Sequence, residues 1–328
     1  MAIRFDCAAL GALLLGTLLQ GCALAPGGSE PAGSLPLARA LTVPQTLMPS
    51  EKPDVRSGGV WMYTAQLYGE DLAVYKRKGL ALTFYTSLGK EVSAPQGTDA
   101  TVNGWWFVAN SGHSNVLVYK STHNGPKGPV AKLDDSSEFP VNVNVTPSRR
   151  LVAVSNYETV GGGPGSVSVY LDRHKEPARI LKYGNDPLEG AGVAIDHNGN
   201  CYWSFNDPNT NTGSVVEFVK CRGAGRVVVP TIASAGGIAF DQRDDLYYVD
   251  KTAGVYTCKK TWQCTLFSTG FGLPVNINFD VRDKHLWVAD ASGYIDAVDM
   301  RTGKIVYQKA AEGGPTDPPF GIAPAPGG

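Results

Sequence analysis

Two short stretches carry the side chains best placed for chemistry. PVNVN, Pro140 to Asn144, and PVNIN, Pro274 to Asn278, each set two amides at alternate positions of a strand-like run. Alternate residues of a strand share a face, so Asn142 goes with Asn144, and Asn276 with Asn278. Each amide offers an acceptor oxygen and two donor hydrogens. Four of them together could bind a small polar ligand or an ion. The plainer expectation is that they bond neighbouring backbone or water, because buried amides must find partners. Other chemistry is thinly represented. The five histidines, His113, His123, His174, His197 and His285, are scattered in turns, and no H-E-x-x-H, G-x-S-x-G or P-loop pattern occurs. The glycine-rich Gly161–Gly165 joins two strand-like segments, so no helix N-terminus follows to hold a phosphate.

The elements that must position these residues are repeats. GVAIDHNGNCYWSFND, from Gly192, reads as a short apolar strand, a tight turn and a second strand ending in a polar corner. Variants recur from Val141, Gly237 and Asn276. The corners fall at Asn110, Asn156, Asn206, Asp250 and Asp290, spaced by 46, 50, 44 and 40 residues. That is close to the roughly 40–45 residues of a four-stranded propeller blade. Asn and Asp suit such corners because their side chains bond local backbone, and recurrence in five units marks them as structural. A third and a fourth strand follow each corner, such as SNVLVYKS with PVAKLD, and GSVSVYLDR with ARILKY.

A sixth unit opens the domain at Val60 but lacks its first strand. PFGIAPAP, from Pro319, repeats the Gly-Ile-Ala of the other first strands and is the expected replacement. Pairing the chain ends would remove exposed sheet edges. The expected fold is all-β: a six-bladed β-propeller of four-stranded antiparallel blades, closed by a C-terminal strand. Gly192 and Ala194 lie on one face of their strand, and small residues there suit the narrow space near the axis. Asn142, Asn144, Asn276 and Asn278 break that rule in blades three apart, which face each other across a six-fold ring. Trp105, Trp203 and Trp287 fall mid-strand and are expected in the core, whereas Tyr157 and Trp262 are expected as exposed rim aromatics.

Four cysteines belong to this domain. Cys258 and Cys264 flank a short turn between a third and a fourth strand. Cys201 and Cys221 lie on the second and third strands of the preceding blade. An even number suits disulfides in an oxidising compartment; exchange of partners between the two blades stays open. No C-x-x-C or zinc-type Cys/His spacing occurs.

The N-terminus points to that compartment. Residues 1–21 join a weakly basic start to an apolar run from Cys7 to Leu19, shorter than the about 20 residues needed to cross a bilayer. The run ends in Leu19-Gln20-Gly21-Cys22, which resembles the lipobox of bacterial lipoproteins. That resemblance implies cleavage before Cys22, its lipidation and, with Ala23 following, transfer to the outer membrane or cell surface. Several acyl chains, at about 0.8 kcal/mol per buried methylene, would hold such a protein on a membrane. Residues 22–56 are rich in Pro, Gly, Ser and Ala and read as a tether, and residues 57–328 form the propeller. A net charge of −1 gives no electrostatic reason to expect nucleic acid.

ANSGHSNVLVY, Ala109 to Tyr119, resembles the NHL repeat consensus, and the chain from about residue 55 is similar to the six-bladed NHL and gluconolactonase-like (TolB-like) propellers. The gluconolactonase resemblance implies a divalent cation at the channel mouth that polarises a lactone or ester carbonyl. Its ligands would be a Glu on the opening strand, an Asn in P-N-G-[IL]-[AS] and an Asp in a later P-D-G. Here the Asn position holds Val141, Ala191, Gly236, Val275 or Phe320, and the opening strand VWMYTAQ has no carboxylate. The reading is therefore a lipid-anchored envelope protein whose propeller is a non-catalytic binding or scaffold module, without a cofactor. The expected domain is monomeric, and its partner is a protein or small molecule not identified by any motif. The alternative is a divergent metal-dependent lactonase or esterase.

Overall fold

The computed structural model describes residues 61–325 except 123, 185, 281 and 282. The signal segment, Cys7, Cys22 and the tether lie outside the described residues, as does His123. Among the described residues no helix is long and apolar enough to cross a membrane.

Among the described residues twenty-four strands, numbered in chain order, form six antiparallel four-stranded sheets. The first blade contains β1 (Trp61–Gln66), β2 (Asp71–Lys78) and β3 (Ala81–Leu88), with β24 (Pro319–Pro324) as its innermost strand. The second runs β4 (Pro95–Ala100), β5 (Trp105–Asn110), β6 (Asn115–Thr122), β7 (Gly125–Asp134). The third is β8 (Glu138–Val145), β9 (Leu151–Thr159), β10 (Ser166–Leu171), β11 (Arg179–Leu181). The fourth is β12 (Glu189–Ile195), β13 (Cys201–Asp207), β14 (Thr212–Phe218), β15 (Arg226–Ile232). The fifth is β16 (Ala235–Phe240), β17 (Leu246–Asp250), β18 (Gly254–Cys258), β19 (Cys264–Ser268), and the sixth β20 (Pro274–Phe279), β21 (His285–Asp290), β22 (Tyr294–Asp299), β23 (Ile305–Ala310). The innermost strands β4, β8, β12, β16, β20 and β24 each touch the next around a closed ring. Closure is as the sequence predicts: Met62 pairs with Pro324 and Thr64 with Ile322. The outer strands match less well, β7 being longer than PVAKLD and β11 only three residues. An outermost strand has one partner and one solvated edge, so its ends are weakly specified by packing.

Each core cluster lies between adjacent blades. Tyr63 of the first blade stacks on Trp106 of the second, with centroids 4.0 Å apart. Trp105, Trp203 and Trp287 are fully enclosed. Burying a large apolar side chain contributes roughly 1.5–3 kcal/mol, so these inter-blade layers hold the ring. Near the axis two glycines of the first strands leave no room for a Cβ. A Cβ on Gly97 would lie 2.5 Å from Asn142 Cα, and one on Gly192 2.8 Å from Gly237 Cα. The corners act on backbone, as expected. Asp290 accepts from Gly272 and Leu273 N–H, Asn110 from Ser93 N–H, and Asn206 from Ala235 N–H.

Both disulfides form, Cys201–Cys221 and Cys258–Cys264, so the exchanged pairing is excluded. Trp262 differs from its expectation: it is half-buried, packed on Tyr202 with ring centroids 5.6 Å apart. The short disulfide-closed hairpin folds it back onto the blade. Tyr157 is half-buried too.

Candidate functional site

The first strand of every blade is an edge strand, so part of its backbone faces the channel without a sheet partner. Exposed strand edges need covering, and here axial side chains cover them. Asn276 and Asn278 accept from the N–H groups of Ile277 and Phe279 on their own strand, at 2.8 and 2.9 Å. Asn144 accepts from Ile195 N–H of the next blade at 3.0 Å. Between them stands Asp99, on β4, which no sequence motif marks. One of its oxygens accepts from Asn144 Nδ2 and Val145 N–H, both at 2.9 Å. The other accepts from Asn278 Nδ2 at 2.9 Å and Ala100 N–H at 2.8 Å. Blades three and six are opposite in the ring, so this carboxylate links them across the axis and closes the channel at that level. Burial pushes its pKa up to about 6, while the Asn278, Val145 and Ala100 donors pull it back. Asn142 lies one step nearer the strand start, buried against Gly97.

One device is repeated in all six blades. The pairing of first and second strands slips by one residue near the start of the first strand. Bulges of this kind re-aim a side chain. The slip falls at Gln96, Val141, Ala191, Gly236, Val275 and Phe320, so five of the six positions at the mouth are apolar or glycine.

Charge enters the mouth from blades three to five. Glu189 opens β12, and Tyr157 follows the corner Asn156, its pKa raised by burial first and then by Glu189. Glu158 is close enough to Glu189 for their repulsion to add to burial in raising its pKa. Lys251 follows the corner Asp250, and its N–H bonds Ser234 O at 2.8 Å. Lys251 is half-buried. Desolvation lowers its pKa, and Glu189 opposes that shift. No carboxylate among the described residues makes an ion-pair contact with it. Tyr157, Glu189 and Lys251 are 32 to 94 positions apart in the chain. Tyr157 and Lys251 each follow a corner, whereas Glu189 opens a first strand, and Tyr157 was the one residue of this group that the sequence singled out.

Behind the mouth, blade three holds a fully buried polar branch. Asn156 Nδ2 donates to Ser166 Oγ and Ser168 Oγ, at 3.0 and 2.9 Å. Ser166 donates to Glu138 at 3.0 Å and Ser168 to Asp135 at 2.6 Å. The second oxygen of Asp135 has no protein partner among the described residues. Burial pushes the Asp135 pKa up to about 7, partly offset by Ser168 and Tyr170.

A divalent cation of the lactonase type does not fit these residues. Of the slip positions that correspond to the family's Asn, Gln96 alone has an oxygen ligand in its side chain, and its amide donates to Ser111 Oγ at 3.0 Å. The one axial carboxylate is met by four N–H donors, a set that suits an anion. Among the described residues no three His, Cys, Asp or Glu side chains converge for a metal. Asp99 was legible in one respect: it occupies the strand position of Asn144 and Asn278, where the other blades have Ala194, Ala239 and Ala323.

No protein-family model matches the chain, and no curated protein does. Among solved structures it is similar to a putative 6-phosphogluconolactonase from Bacteroides uniformis, with a TM-score of 0.56 and 11% identity, over 81% of this chain and 99% of that one. It is equally similar to a protein of unknown function from Bacteroides caccae, with a TM-score of 0.56 and 12% identity over the same shares. At such identity the likeness places the chain among β-propellers and goes no further.

Proposed function

We propose that this chain is a lipid-anchored envelope protein, held at the outer membrane or cell surface through Cys22, whose NHL-like propeller is a non-catalytic binding module. One observation carries the reading. The polar side chains at the axis are spent on one another and on backbone, while the first strands begin in bulges that carry mostly apolar residues. Preformed apolar concavities with a few polar groups are how binding sites are built. Two disulfides support export, since such bonds persist in oxidising compartments.

Two experiments test the two halves of the reading. Fractionation of cells carrying Cys22→Ala should find the protein in soluble fractions; retention on the membrane overturns the anchor. Assay of the purified protein against aldonolactones and aryl esters should show no turnover above background. Turnover that a chelator abolishes would replace the binding module with a divergent lactonase.

A further inference from the structure

Away from the channel, the outermost strands of blades five and six part to leave a cleft of about 490 Å³, lined by residues 266–269 and 303–305. A volume of that size suits a small ligand. Backbone contacts fix the walls. Gly303 sits against Phe267, where a Cβ would collide with the carbonyl oxygen, and a Cβ on Gly270 would meet Ile305 Cδ1 at 3.7 Å. The turn that carries Lys304 is held as well, since Asp299 accepts from the N–H and the hydroxyl of Thr302 at 2.9 and 2.8 Å. The cleft is therefore preformed.

Its lining combines three kinds of group. Phe267 and Ile305 are half-buried against the core between the two blades, and Leu266 is 49% exposed, so they form an apolar wall. Lys304 is exposed, and among the described residues its ammonium makes no ion pair. Asp299, the carboxylate of its turn, is already engaged by Thr302. Ser268 is only 3% exposed, and its hydroxyl has no hydrogen-bond partner among the described residues. Buried polar groups are nearly always paired, so an orphan donor points to an acceptor that completes it. An apolar wall, one unpaired cation and a donor without an acceptor match a monoanion with an apolar body. A dianion such as phosphate calls for more than one cation, and a plain hydrocarbon leaves Lys304 and Ser268 unmet.

We propose that this cleft binds a small amphipathic carboxylate. The carboxylate pairs with Lys304 and accepts from Ser268, and an alkyl or aryl body lies on Leu266, Phe267 and Ile305. The site stands apart from the axial residues and goes beyond the binding-module reading by naming a place and a ligand class.

The test is calorimetric titration of the purified full chain with 4-phenylbutyrate as probe. The neutral 4-phenylbutanamide, which keeps the body, and acetate, which keeps the charge, serve as comparisons. The probe should bind, and each comparison should bind at least tenfold more weakly. Lys304→Gln and Ser268→Ala should each weaken the probe at least fivefold, and Lys304→Arg should retain most of the affinity. Thermal melting reads folding separately: Ser268→Ala removes an orphan hydroxyl and should melt no lower than the parent chain. No binding of the probe, or binding that either weakening variant leaves unchanged, overturns the proposal. Equal binding of the amide overturns it in favour of an apolar groove without charge recognition. None of these failures touches the binding-module reading, which falls only to chelator-sensitive turnover.

Discussion

The two ends of the channel use polar residues in opposite ways. At the floor, Asp99 meets two amides and two backbone N–H groups within 2.9 Å. At the mouth, desolvation lowers the Lys251 pKa, opposed by Glu189, and no ion-pair contact is made between them. Both regions are near the axis and both interrupt a pattern of small or apolar residues. The difference lies in satisfaction: a buried polar group that is fully paired closes a fold, whereas one left without its counter-charge stays a cost to it.

The sharpest way to break this comparison is at the floor. Asp99→Ala leaves two amides and two N–H groups without their acceptor, and each unsatisfied buried group costs roughly 1–3 kcal/mol. We expect a loss of about 4 kcal/mol in chemical denaturation; a loss below about 1 kcal/mol would show that the floor is not structural.

The buried branch behind the mouth gives a pH test. The Asp135 pKa rises from 3.8 to about 7 on folding, so the folded state binds the proton more tightly. Its contribution is complete below pH 4 and is lost as pH rises towards and through 7, on the order of a few kcal/mol by linkage. Asp135→Asn, neutral at every pH, should flatten unfolding free energy between pH 4 and 7. An unchanged slope would mean the group titrates as it does unfolded.

A control away from the axis comes from the disulfides. Replacing Cys201 and Cys221 with Ser frees a 20-residue separation, and replacing Cys258 and Cys264 a 6-residue one. Loop-closure entropy predicts losses of about 3 and about 2 kcal/mol. The smallest stability effect is expected at the mouth itself. Lys251→Gln removes a desolvated charge that closes no ion pair, and should leave stability unchanged or slightly raised. A loss comparable with Asp99→Ala would erase the distinction between the two ends.

Much of the architecture was legible because it is periodic. The corner spacing, the Gly-Ile-Ala at Gly321–Ala323 and the mid-strand tryptophans are local patterns, and each blade must satisfy the same packing on both faces. The cysteines were legible as two pairs within single blades, but the partners were settled only by the fold, Cys221 lying in a 3-10 turn just past the end of β14. The axial asparagines were legible as interruptions of that pattern, but their partner was not. Asp99 sits in QGTDA, a first strand with Gln96 and Thr98 where other blades are apolar, and so hides its kinship with Asn144 and Asn278.

What the sequence by itself determined is the unit: strand lengths, turns, corners and the terminal strand that closes the ring, all properties of residues close in the chain. Only the tertiary structure decided which units face one another. Ring closure sets Asp99 between asparagines 45 and 179 positions away, and it brings Lys251 near enough to Glu189 for the carboxylate to oppose its desolvation. Such meetings depend on blade count and on the turn from each blade to the next, geometric sums over the whole chain that no local pattern records.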